Sequence, residues 1–93
     1  MIVSFRDRDA ERLYLRQRVK RLGPRDQKKT LIKLLLLDAV HDLDELRVPP
    51  GNRLEALKDD RSGQHGIRIN DQWRICFVWT PAGPSEVEIV DYH

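Results

Sequence analysis

Apolar positions change their spacing along this chain, and each change marks a different element. Ile2, Val3 and Phe5 predict a short opening strand. The charged stretch Asp7 to Lys20 follows, with Leu13, Leu15 and Val19 as the few apolar anchors of a helix that needs a partner. Gly23-Pro24 breaks the chain, and Asp26 helps to begin a second helix. From about Gln27 to Leu46 the positions Ile32, Leu35, Leu36, Ala39, Leu43 and Leu46 recur at helical spacing, with Leu31, Leu34, Leu37 and Val40 widening the apolar face. Such a face can cover a sheet on one side and receive a protein partner on the other. Val48-Pro49-Pro50-Gly51 ends the helical pattern.

Beyond that break the period falls to two. Leu54 to Leu57 predicts a weak strand and Asp59 to Gly63 a turn. His65 to Ile69 and Trp73 to Trp79 alternate, with Ile67 and Ile69 on one face of the first and Trp73, Ile75, Phe77 and Trp79 on one face of the second. Pro81 to Pro84 turns the chain into a last strand from about Glu86 to Val90. The expected order is β-α-α-β-β-β-β, an α+β domain spanning residues 1–93 in which two N-terminal helices pack on an antiparallel sheet.

Elimination shows that the hairpin loop is odd in length. A two-residue loop of Asn70 and Asp71 would set Ile69 against Gln72 and Ile67 against Arg74, mixing core and solvent residues on one side. An odd loop, for example Asn70 to Gln72, pairs Ile69 with Trp73 and Ile67 with Ile75, so the apolar sets coincide. It also sets Arg68 opposite Arg74 on the other face. Like charges in that position repel, so acids such as Glu55, Glu86 or Glu88 must intervene or an anion must bind.

Composition narrows the picture. With 93 residues there is material for one small core, and 34% charged against 40% hydrophobic residues suits a folded protein better than a disordered one. No apolar run approaches the roughly 20 residues that a membrane helix needs, and Met1-Ile2-Val3-Ser4-Phe5 turns charged too soon for a secretory signal. A cytoplasmic location is expected. Cys76 is the only cysteine, which excludes an internal disulfide, and neither His41, within the expected long helix, nor His65 shares ligand spacing with a second metal-binding group. The net charge of +2 is unevenly spread: residues 1–33 carry eleven Lys/Arg against four Asp/Glu, and residues 34–93 carry six against eleven. The basic third suits an RNA backbone, an acidic partner or a solvated helix face.

The ordered stretches Asn52-Arg53-Leu54-Glu55-Ala56-Leu57-Lys58-Asp59-Asp60-Arg61-Ser62-Gly63, Ile67-Arg68-Ile69-Asn70, Gln72-Trp73-Arg74-Ile75 and Glu88-Ile89-Val90-Asp91-Tyr92-His93 resemble the HigB-type toxins of the RelE/ParE superfamily. The resemblance covers residues 52–93, whereas the first half agrees in length and helix pattern. It implies a small microbial RNase-like (RelE-like) fold and cleavage of mRNA in the A site of the 30S subunit of the ribosome. It also implies neutralisation by a HigA-like antitoxin of the helix-turn-helix class, with no cofactor, metal or membrane involved.

Metal-free RNA cleavage needs a base for the 2′-hydroxyl, charge on the phosphate balanced, and an acid for the departing 5′-oxygen. His93 titrates near neutral pH and can serve as acid or base. Tyr92 can stack on a nucleobase or assist proton transfer, and Asp91 can orient or charge-balance the site. Lys58 and Arg74 match basic positions of the family and would hold the scissile phosphate, Arg74 through its planar fork. Arg68, Arg61 and Arg53 are candidate RNA contacts. Glu55 stands where a catalytic histidine is expected; a carboxylate there serves as a base if desolvated and otherwise repels phosphate. Two further readings use the same fold: a ParE-like inhibitor of DNA gyrase, and a non-catalytic interaction module, for which Glu55 is the best argument. The terminal Asp91-Tyr92-His93 and the cations favour the endoribonuclease.

Overall fold

The computed structural model describes residues 1–91. Its elements are α1 (Arg8–Tyr14), α2 (Pro24–Ala39), β1 (Glu55–Ala56), β2 (His65–Arg68), β3 (Trp73–Thr80) and β4 (Gly83–Asp91). The four strands form one antiparallel sheet in the order β1-β2-β3-β4, and both helices pack on one of its faces. Leu13 of α1 and Leu34 and Leu37 of α2 meet Ile67, Ile75, Phe77, Val87 and Ile89 of the strands in a single apolar cluster.

The hairpin register matches the three-residue loop. Ile67 lies opposite Ile75 and Arg68 opposite Arg74, and the Ile69 amide donates to the Trp73 carbonyl at 3.0 Å. Asn70 builds the loop by accepting from the amides of Gln72 (2.9 Å) and Trp73 (2.8 Å) through Oδ1, an Asx-type turn. Between β3 and β4 the register shifts after Cys76, so that Glu86 and Val87 together oppose Phe77. Such a bulge needs one residue off the β backbone, and Glu86 supplies it with φ 52°.

The opening segment pairs differently from a regular strand. Phe5 forms a single parallel bridge to Val87, flanked by Val3 N to Pro84 O (2.8 Å) and Arg6 N to Val87 O (3.0 Å). Ser4 reaches the bulge itself, its Oγ accepting from Glu86 N at 3.0 Å. Asp7 then caps α1 by accepting from Asp9 N and also takes the Ile89 amide at 3.1 Å. Arg21, ion-paired to Asp7 and Asp9, donates to the Ile89 carbonyl at 3.1 Å and lies over the Trp73 ring at 5.6 Å.

The helices depart from the expected boundaries. α1 ends near Tyr14 rather than Lys20, because Arg16 takes a left-handed backbone (φ 67°). Leu15, expected as an anchor, is exposed. α2 starts at Pro24, whose fixed φ suits a first helical turn, and stops at Ala39 rather than Leu46. Residues Leu43–Arg47 form a separate 3₁₀ turn with a capping box of Asp42 and Glu45, which leaves His41 outside the helix. The apolar spacing ran on because Leu46 is still fully buried after the break. The phase of α2 also differs: Thr30, Leu34 and Leu37 face the core while Ile32 is 56% exposed and Leu35 partly so. Nearly every position from 31 to 37 is apolar, so spacing could not choose between the two phases.

Asn52 fastens this turn to α2. It is fully buried, donates Nδ2 to the carbonyls of Leu46 (3.0 Å) and Val48 (3.3 Å), and accepts from Lys33 Nζ through Oδ1. Burial, and then the neighbouring Lys29, lower the Lys33 ammonium below its ordinary range. Removing the amide strands two carbonyls and a half-buried cation. Asn52→Ala is therefore expected to lower the unfolding free energy by about 1–3 kcal/mol in denaturant titration, whereas a change below about 0.5 kcal/mol would mean that the turn is held by packing alone.

Candidate active site on the sheet face away from the helices

Alternation along β3 places Arg74 and Cys76 on the side opposite Trp73, Ile75 and Phe77. Register then lines up Glu55, Gly66, Cys76 and Glu88 across the four strands, with Arg68, Arg74 and Val90 in the next row. Arg74 is only 7% exposed, and a guanidinium so far from water needs a charged partner. Glu55 is such a partner, bonded through Oε1 to Nη1 of Arg74. The contact crosses β2, and Gly66 makes the crossing possible. A Cβ at Gly66 would lie 3.0 Å from Cδ of Arg74 and 3.5 Å from its Cγ, so the bare backbone is the track on which the arginine stem rests.

Arg61 leaves the 3₁₀ turn Asp59–Arg61 and reaches the same face. It donates to Gln64 Oε1 at 3.1 Å and to Glu88 Oε1 at 3.4 Å, and the hydrogen bond to Glu88 raises its pKa, fixing its charge. Arg6 approaches the other oxygen of Glu88 at 3.6 Å. Burial pushes the Cys76 thiol up; Arg61 and Arg74 oppose that shift, and Glu88 and Glu55 add to it. Cys76 is therefore a buried small side chain rather than a nucleophile.

Two adjoining concavities open here. Glu55, Lys58, Asp59 and Arg61 line a cleft of about 490 Å³. Arg6, Asp60, Arg61, Gln64 and Glu88 line a second of about 280 Å³, so that Arg61 forms the wall between the two. The structure thus brings Lys58, Glu55, Arg61 and Arg74 together. Arg68 lies across from Arg74, but its guanidinium pairs with Asp71 and it lines a different hollow with Lys29, Ile32 and Lys33. Arg53, with φ 46°, is exposed and lines neither of the two concavities. Asp91 falls in register with Trp73 on the helix side and accepts from Gln72 Nε2 at 3.2 Å. Tyr92 and His93 lie outside the described residues.

Arg6, Gln64 and Gly66 were not singled out in the sequence. Alternation from Arg74 would have found Gly66, since the register already aligned it with Cys76. Nothing local marks Arg6, which arrives from the far end of the chain. Among the described residues no group of three or more His, Cys, Asp or Glu is placed to hold a metal ion, and no helix is long and apolar enough to cross a membrane. Gly66→Ala is expected to fold, with stability changed by about 1 kcal/mol or less because alanine suits a strand better than glycine. Its Cβ should displace the Arg74 stem by a few tenths of an ångström and loosen the bond to Glu55. A crystal structure of the variant checks this; Arg74 found in place with Glu55 still bonded would show that the clearance is not needed.

Comparison with known proteins places the fold and the family. The family model of HigB-like toxins, described as RelE-like toxins of the type II toxin-antitoxin system HigB, matches residues 3–93. Toxin HigB-1 of Vibrio cholerae serotype O1 is 39% identical over 80 residues, 85% of this chain and 84% of that relative. A solved structure described as a YoeB/ParE toxin from Agrobacterium tumefaciens is similar with a TM-score of 0.51 at 20% identity, covering 99% of this chain and 96% of that one. That likeness establishes the fold, two helices on a four-stranded antiparallel sheet of the RelE-like kind. Nearly full coverage by the family model settles the affiliation: this chain belongs to the HigB-like toxins of type II toxin-antitoxin systems.

Proposed function

We propose that this toxin is a ribosome-dependent mRNA endonuclease that cleaves in the A site. The observation that supports the reading best is Arg74, a guanidinium held in a fixed, nearly buried position by Glu55, which lines a cleft together with Lys58 and Arg61. Fixed cations around a concavity suit the charge that develops on a phosphate in the transition state, and Arg74 offers a planar fork to two of its oxygens. The 2′-hydroxyl attacks the adjacent phosphorus, a base removes its proton, and the 5′-oxygen leaves with a proton from an acid. His93 carries proton transfer and Tyr92 stacks on a base or assists it. Lys58 and Arg74 hold the phosphate, and Asp91, on the helix side of the sheet beside Gln72, balances charge from outside the cleft. Arg61 guides the neighbouring backbone, with Arg68 and Arg53 contacting RNA farther out. Glu55 either takes the base role or tunes Arg74.

The family implies an antitoxin partner, and we propose a HigA-like protein with a helix-turn-helix domain. The helix side supports a separate docking surface for it. Arg25, Lys28 and Lys29 form no ion pair among the described residues, and Ile32 and Leu35 are exposed beside them, a combination that suits an acidic amphipathic segment.

Induced expression of the chain should arrest growth. His93→Gln should restore colony formation to the uninduced level, since loss of a proton-transfer group costs about 10²–10⁴ in rate, and Lys58→Ala should give partial relief. Circular dichroism should show both variants folded. Undiminished toxicity of folded His93→Gln would remove the histidine from the chemistry and move the reading to a binding mechanism, such as inhibition of gyrase.

A further inference from the structure

Glu55 sits where an anionic substrate has to sit. On the reading given above, Arg74 receives the scissile phosphate, yet its Nη1 is bonded to a carboxylate of this chain. We propose that Glu55 is a resident anion in the phosphate seat of Arg74, a gate that RNA must displace before the arginine can engage it. The proposal rests on the nuclease reading for its substrate, and on the geometry of the ion pair for everything else.

Both groups are built for exchange. A guanidinium fork binds carboxylate and phosphate in the same geometry, so one can replace the other without moving Arg74. The arginine is the fixed member: its side chain is 9% exposed and its stem lies against Gly66. Glu55 is the movable member. Its side chain is 48% exposed, and its strand has just two residues, paired to β2 through Gly66 and His65. A rotamer change carries the carboxylate into the cleft of about 490 Å³ beside it, where Lys58 is a second cation able to receive it. Arg61 does not compete for Glu55, being engaged by Gln64 and Glu88. In the empty site the carboxylate keeps a nearly buried cation paired; in the loaded site the phosphate does so. The gate therefore lowers affinity for stray anions while leaving the site charged and ordered.

The test uses the full chain and a short single-stranded RNA with every 2′-hydroxyl methylated, which the proposed chemistry cannot cleave, titrated by fluorescence anisotropy. Glu55→Gln is expected to bind roughly two- to fivefold more tightly than the wild type, the range of a partly exposed ion pair removed as a competitor. Glu55→Asp, which keeps the anion, should stay near the wild type. Glu86→Gln removes the same charge from an exposed position at the bulge and should change affinity less than twofold. Adding Arg74→Gln to Glu55→Gln should abolish the gain. Equal or weaker binding by folded Glu55→Gln overturns the proposal, as does a gain that survives loss of Arg74 or is matched by Glu86→Gln. No binding by any form overturns it too, since Arg74 would then be a structural ion-pair partner. Failure of the nuclease reading shows elsewhere, as intact mRNA in arrested cells, and leaves this titration interpretable.

Discussion

The register of the β2–β3 hairpin decides what each side of this sheet is for. With Ile67 opposite Ile75, the apolar residues of both strands fall toward the helices, and Arg68, Arg74 and Cys76 fall together on the other side. A slip of one residue would reverse every side chain of a strand. It would place the Arg74 guanidinium among Leu34, Leu37 and Val87 with no anion near, a burial that costs several kcal/mol even after relaxation. The same constraint that builds the core thus builds the charged face. Asn70 enforces it locally by taking two amides of the loop, and Glu55 enforces it from β1 by pairing with Arg74.

Charge is divided between the two sides in a way the totals conceal. The basic third of the chain lies mainly on α1, α2 and their connection, and Arg21 is used internally to bind Asp7, Asp9 and the end of β4. The cations of the charged face, Lys58 and Arg61 in the cleft and Arg74 paired to Glu55 at its side, come instead from the part of the chain where acids outnumber bases. Each stands beside a carboxylate or shares a concavity with one, which suits a site that must stay ordered when empty. Arg6 is the exception, carried from the basic third to Glu88 by the pairing of the opening segment with β4.

What could be read in advance follows from how strongly each pattern is constrained. Period-two alternation with an odd loop gave the strands and their pairing, because a wrong register puts charge in the core. The helix phase was not legible where residues 31 to 37 are nearly all apolar, and Ile32 and Leu35 stand outside as a result. Nor was the break after Ala39, since Leu46 keeps the spacing from within a 3₁₀ turn. Asn52 stood in the motif without showing that it is a structural fastener for that turn. Of the site, the need for an acid or a bound anion beside the facing arginines was legible from charge alone, and Glu55 was one of three acids named for it. The Gly66 track and the Arg6–Glu88 contact depend on three-dimensional approach, which no spacing along the chain records.

The claim that joins these features is that the charged face acts on messenger RNA. Mapping mRNA 5′ ends in cells after brief induction of this chain, alongside the His93→Gln form, tests it most directly. New ends inside translated codons, absent with the altered chain, are the predicted result. Growth arrest with intact mRNA would contradict it and point to a target that is bound rather than cut.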